Sequence, residues 1–165
     1  MNMKSLSKTQ KLVFSAMVMA IYVVVLYCTQ SFSFGAYQIR VATSLYALSY
    51  LCPFLVFPLG LANLLGNLIC GGLGLLDFLG GFLVGVLTSY AHVLIRKRNL
   101  PIWLIILTIT FIPGLIVPIW LSYLIHLPYI ALATNLCIGQ LVCGVVGVIL
   151  IKALKPIFYL KTKEA

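Results

Sequence analysis

Two charged side chains stand apart in an otherwise apolar sequence. The chain carries eleven Lys and Arg against two Asp and Glu. Ten of the eleven cations fall into three clusters, Lys4/Lys8/Lys11, Arg96/Lys97/Arg98 and Lys152/Lys155/Lys161/Lys163, which leaves Arg40 alone, and Asp77 is the one carboxylate outside the C-terminal tail. A guanidinium offers a fork of donors and a carboxylate offers only acceptors. The two suit either an ion pair tying two segments together or the polar contacts of one small ligand, and both readings stand on these residues alone. Amides that can donate and accept lie near them in sequence at Gln38, Asn63 and Asn67, with Asn135 and Gln140 on the last apolar stretch. Phe34 and Tyr37, in a Gly-containing segment beside Arg40, offer flat faces for stacking. A concave site with a few placed polar groups is what a small solute requires.

Other chemistry is poorly supplied. Cys28, Cys52, Cys70, Cys137 and Cys143 lie in or beside apolar stretches without a C-x-x-C pair, where Cys behaves as a small buried hydrophobe. The two histidines, His92 and His126, are far apart and the carboxylates number two, so neither a metal-ligand cluster nor a catalytic acid–base pair is expected. No enzyme activity, metal or cofactor follows from these residues. No Gly-Lys dipeptide occurs, which rules out a P-loop, so any use of ATP must come from a partner. Proton- or sodium-coupled carriers place several ionisable groups within the membrane; here there are only Arg40 and Asp77.

The elements that must position these residues follow from composition. The 165 residues are 63% hydrophobic and 8% charged, with mean hydropathy +1.18, against about 25% charged residues in a soluble domain. At roughly 20 residues per transmembrane helix, the chain is a single membrane domain over residues 1–165 with short loops. The formal charge of +9 is no pointer to nucleic acid, because the three clusters account for it: cytoplasmic ends of spans collect Lys and Arg. An even number of crossings must then separate each cluster from the next. Two spans fit between Arg98 and Lys152, at about 101–124 and 129–151. Four fit before Ile95, at about 12–28, 40–56, 58–71 and 77–95, broken at 29–39, at Pro53 to Pro58 and at Gly71-Gly72-Leu73-Gly74. The third is short and is expected to be tilted, broken or shielded by neighbours. The expected fold is an all-α integral membrane bundle of six helices with both termini cytoplasmic, in a cell membrane. The N-terminal stretch reads as an uncleaved first span.

Three further patterns bear on function. Asp77 follows three glycines in four residues, which permit close backbone approach or positive φ. Trp120, Tyr123 and Tyr129 are expected at the outer interface as an aromatic belt. Ala16 and Ala20 lie four apart on one helix face, as do Gly81 and Gly85; such strips let helices approach closely, within the bundle or in a partner.

Phe34-Gly35-Ala36-Tyr37-Gln38-Ile39-Arg40-Val41, Ala62-Asn63-Leu64-Leu65-Gly66-Asn67 and Gly72-Leu73-Gly74-Leu75-Leu76-Asp77, in this order, resemble the QueT family of queuosine-precursor transporters, substrate-binding S components of energy-coupling factor (ECF) importers. The resemblance runs from about Lys11 to Leu154. It implies an S-component-like bundle whose ligand is a 7-deazaguanine base, such as 7-cyano- or 7-aminomethyl-7-deazaguanine or queuine, captured from outside and delivered with a membrane T component and two cytoplasmic ATPases. It also implies that Ala16 and Ala20 dock on the T component, and that Phe34, Tyr37, Gln38, Arg40, Asn63, Asn67, Asp77 and Gln140 bind substrate. Asp77 would accept from the ring N–H and amino group, Arg40 or Gln38 would donate to the ring carbonyl, and Phe34 or Tyr37 would cover a face. Thr43 and Gln140 depart from the family pattern, standing where it has carboxylates. A carboxylate pair suits an ammonium-bearing ligand, so the neutral residues leave the nitrile or another neutral base open. Pro113 and Pro118 in the fifth span depart from it as well. The alternatives are a stand-alone secondary carrier, or an S component for another vitamin-like solute.

Overall fold

The computed structural model of the protein describes residues 6–33, 39–70 and 72–159. Among them the regular secondary structure is all helical: α1 Lys8–Cys28, the single turn α2 Gln30–Ser33, α3 Val41–Leu51, α4 Val56–Cys70, α5 Leu75–Lys97, α6 Leu104–Ile125 and α7 Tyr129–Tyr159. Five stretches, α1, Pro53–Cys70, α5, α6 and most of α7, are long and apolar enough to cross a membrane.

The first helix starts earlier than residue 12 because Ser7 caps it. The Ser7 hydroxyl accepts from Gln10 N at 3.2 Å while the Gln10 side chain accepts from Ser7 N at 2.9 Å, a reciprocal pair that satisfies two amide donors the helix leaves open. At the other end of the chain α7 runs 31 residues, so it continues past the span expected at 129–151 and carries Lys152 and Lys155 with it.

The main difference from expectation is α3. The span expected over 40–56 is 11 helical residues, of which Val41–Ala47 form a 3₁₀ helix and Leu48–Leu51 a turn of α-helix. It ends at Cys52 because the residue before Pro53 is pushed out of the α region, and Cys52 has φ −126° and ψ 84°. A 3₁₀ helix rises about 2.0 Å per residue and an α-helix about 1.5 Å, so α3 is roughly 20 Å long despite its few residues. It is enclosed by α1, α5 and α7, and Ala42, Thr43, Ser44, Tyr46, Ala47, Leu48, Ser49 and Leu51 are all buried. Its hydroxyls turn back on its own carbonyls: Thr43 donates to Arg40 O, Ser44 to Val41 O and Ser49 to Tyr46 O, at 2.6–2.7 Å. Away from water, each of those carbonyls needs such a donor. The helix after it starts at Val56, not 58, with Pro58 in its first turn, where a missing N–H costs little.

The far end of α3 is fastened by Arg96, whose Nη1 donates to Tyr50 O at 3.0 Å and Leu51 O at 2.7 Å. This caps carbonyls that the helix leaves unsatisfied. Halfway along, buried His92 bridges three elements: Nδ1 lies 3.0 Å from Tyr46 O on α3 and Nε2 2.9 Å from Thr108 Oγ1 on α6. His92 is thereby a structural tie.

These contacts also sort the chain into two ends. Phe14 packs edge-on against Phe54, with centroids 6.1 Å apart, so the start of α1 lies beside the Leu51 end of α3, to which Arg96 is bonded. Gln30 Nε2 donates to Cys70 O at 2.9 Å, which puts the ends of α1 and α4 together at the opposite end. The described basic clusters therefore share one end of the bundle, and Arg40, Asp77 and Trp120 occupy the other.

Candidate functional site

Two asparagines one turn apart on α4 organise the polar end. Arg40 Nη2 donates to Asn63 Oδ1 at 2.9 Å and to Asn67 Oδ1 at 2.8 Å. The same amides spend their nitrogens on α5: Asn63 Nδ2 donates to Gly81 O at 2.6 Å and Asn67 Nδ2 to Asp77 O at 3.1 Å. The spacing explains the pattern, since 63 and 67 match 77 and 81 at one helical turn each. Arginine only donates and a backbone carbonyl only accepts, so both amides have one possible orientation. Gly81 makes room: a Cβ there would lie 2.7 Å from Asn67 Nδ2 and 3.2 Å from Asn63 Nδ2.

Asp77 is 8% exposed and sits in the first turn of α5, where a negative charge favours the helix dipole. Its Oδ1 accepts from Trp120 Nε1 at 3.1 Å and its Oδ2 from Leu73 N at 3.3 Å. The turn before it is built from glycine. Gly74 has φ +105°, a region open essentially to glycine, and a Cβ on Gly72 would meet Asp77 Oδ2 and Asn67 O at 2.9 Å. Gly80 lets the Trp120 ring lie against α5, since a Cβ there would be 2.7 Å from Cζ2. Trp120, expected in an aromatic belt, is thus half-buried and bonded to the carboxylate. Arg40 and Asp77 are linked through Asn67, which accepts from Arg40 Nη2 and donates to the Asp77 backbone carbonyl.

Beside Arg40, Thr43 Oγ1 donates to the side-chain oxygen Oε1 of Gln140 on α7 at 2.7 Å. Arg40, Thr43, Asn63 and Gln140 line a small internal void of about 20 Å³, with Tyr46, Val84, Val117 and Leu136 among its other walls. Tyr46 stacks on Tyr22, centroids 5.8 Å apart, and their hydroxyls are 3.2 Å apart. Asn67 and Asp77 lie behind this wall, not on it. Of the residues expected to bind substrate, Arg40, Asn63 and Gln140 line the void, Asn67 and Asp77 support Arg40 and the turn, and Phe34, Tyr37 and Gln38 lie outside the described residues. Sequence reasoning missed Tyr46 and the Trp120 contact. Gly80 on the face of Asp77 was the one local trace of the latter.

The small-residue strips separate. Gly81 and Gly85 pack internally, and a Cβ on Gly85 would lie 3.0 Å from Gly60 Cα. Ala16 and Ala20 are exposed, on the long helix least enclosed by the bundle, 22% buried against 39–44% for the others. Among the described residues, no three His, Cys, Asp or Glu gather at one place.

No curated protein and no solved structure matches the chain. A model of the QueT transporter family matches residues 12–156, which reaches all seven helices and takes in every polar contact of this site. The protein is a multi-pass membrane protein that belongs to the QueT transporter family.

Proposed function

We propose that the protein is the substrate-binding S component of an ECF importer and that it carries a queuosine precursor, a 7-deazaguanine base, from outside to the cytoplasm. The observation that carries this reading is the seat of Arg40: a guanidinium held by two neutral amides, on the wall of an internal void, at the end of the bundle opposite the basic clusters. With the clusters cytoplasmic, Arg40 faces the external side. Counting α3 as a crossing, its roughly 20 Å enclosed by longer helices, gives six crossings with both termini inside. Arg40 donates to the ring carbonyl of the base, and Phe34, Tyr37 or Gln38 complete the contacts. The Asp77 carboxylate reaches the ligand only when Trp120 releases it. A void of about 20 Å³ holds about one water, so a base enters only as the surrounding helices part.

The exposed Ala16/Ala20 face of α1 is the docking surface for the T component, and two cytoplasmic ATPases drive release. The chain itself performs no catalysis. Cells given the chain alone and cells given the chain with an ECF module are compared for uptake of labelled 7-cyano-7-deazaguanine. Uptake only with the module supports the reading, and equal uptake without it assigns a stand-alone carrier. The mass of the small molecule that co-purifies in detergent identifies the base; a flavin, thiamin or biotin mass would move the chain to another solute.

A further inference from the structure

Trp120 fills the seam between α5 and α6 beside the void. Val84 of α5 and Pro113 and Val117 of α6 belong to the wall of that void. Gly80 and Gly81 on α5 and Trp120 on α6 follow on the same faces, one helical turn closer to the Asp77 end. Three adjacent indole atoms, Cε2, Cζ2 and Cη2, stand 2.7–2.9 Å from where a Gly80 Cβ would be, so the ring lies against bare backbone. Its Nε1 donates to Asp77 Oδ1 at 3.1 Å. A glycine floor, a buried carboxylate and a polar void one turn deeper form a slot for a flat ring with an N–H, and the tryptophan occupies it. What stays open beside the indole is about 20 Å³, whereas a small-molecule site takes about 300 Å³ or more.

We propose that the Trp120 indole is a built-in occupant of the ligand site, holding the place of a planar fused bicycle whose own ring N–H takes over the bond to Asp77 when it displaces the tryptophan. The shapes correspond: a 7-deazaguanine has the fused six- and five-membered skeleton of indole with two ring carbons replaced by nitrogen, and it too carries a ring N–H. The exchange leaves no buried acceptor bare, since Oδ1 has a donor in both states and Oδ2 keeps Leu73 N at 3.3 Å. Pro113 and Pro118 each remove an N–H from α6, which weakens the ladder on either side of Val117 and lets the C-terminal half of the helix swing from α5. The inference rests on the ligand-binding reading and deepens it, naming the side chain that must leave and the class that replaces it. A resident competitor also lowers apparent affinity by the fraction of time the slot stands vacant, so loosening Trp120 strengthens ligand binding. A merely structural tryptophan would do the opposite.

The chain has two tryptophans, so Trp103→Phe leaves Trp120 as the sole reporter. In nanodiscs, saturating 7-cyano-7-deazaguanine should raise the quenching of Trp120 fluorescence by acrylamide, as the indole leaves its slot for the interface. Trp120→Phe keeps a ring against Gly80 without the N–H, and it should bind the same base roughly tenfold more tightly than wild type. Base bound with Trp120 quenching unchanged or reduced, or weaker binding by Trp120→Phe, overturns the inference and leaves the transport reading standing. If neither wild type nor Trp120→Phe binds the base, the transport reading falls for that base, and free indole is compared with 1-methylindole on Trp120→Gly. A preference for indole of roughly tenfold retains the slot for another N–H bicycle; equal binding, or none, overturns it.

Discussion

Trp120 donates its indole N–H to Asp77 Oδ1 across 3.1 Å, joining the first turn of α5 to the C-terminal half of α6. The carboxylate is largely removed from solvent, and a bond to a charged acceptor contributes more than a neutral one, about 1.5–3 kcal/mol. Trp120→Phe keeps an aromatic ring against Gly80 but removes the donor. It should lower the thermal midpoint of the detergent-solubilised protein, with a loss in the lower part of that range. Unchanged stability would show that Leu73 N and solvent suffice for the carboxylate.

Asn67 offers a sharper substitution. Asn67→Asp keeps an acceptor for Arg40 and adds a charge partner, but it places a carboxylate oxygen where Nδ2 now donates to Asp77 O at 3.1 Å. Two acceptors then oppose each other in a fully buried position. If the amide's two-sided role matters, Asn67→Asp is less stable than wild type by about 1–3 kcal/mol in denaturant titration, despite the ion pair it creates. A stabilised variant would mean that charge pairing with Arg40 outweighs the tie to α5.

The two small-residue strips should respond differently to bulk. Gly85 faces Gly60 Cα and the Tyr46 hydroxyl, so Gly85→Leu overpacks the α4–α5 contact and should cost roughly 1–3 kcal/mol or more, seen as reduced yield and a lower thermal midpoint. Ala16 is exposed, so Ala16→Trp should leave stability and ligand affinity unchanged while uptake with the complete importer falls. Normal uptake in Ala16→Trp would remove that face from partner docking.

Orientation can be read from Cys28. It is the exposed cysteine among those described, at the Arg40 end of the bundle, whereas Cys52, Cys70 and Cys143 are buried. In intact cells a membrane-impermeant maleimide should label Cys28, and Cys28→Ser should abolish most of the signal. Labelling confined to inverted vesicles would reverse the assignment of sides.

The membrane character, the approximate breaks between spans and the isolation of Arg40 and Asp77 were legible in the sequence, because each rests on one-dimensional quantities: hydropathy over about 20 residues, the parity of basic clusters, and glycine or proline at turns. The family motifs added the order of the polar residues. What the sequence could not express was α3, where a 3₁₀ helix stretches few residues over a long path, since that depends on shielding by α1, α5 and α7. Nor could it assign the amides. Asn63, Asn67 and Gln140 are chemically alike as letters; which two hold Arg40 and tie α4 to α5, and which one meets Thr43, is decided by partners 10 to 97 residues away. Hydrogen bonds join atoms across a packed interior, and a buried amide acquires its role only when the fold brings a donor and an acceptor to its two ends.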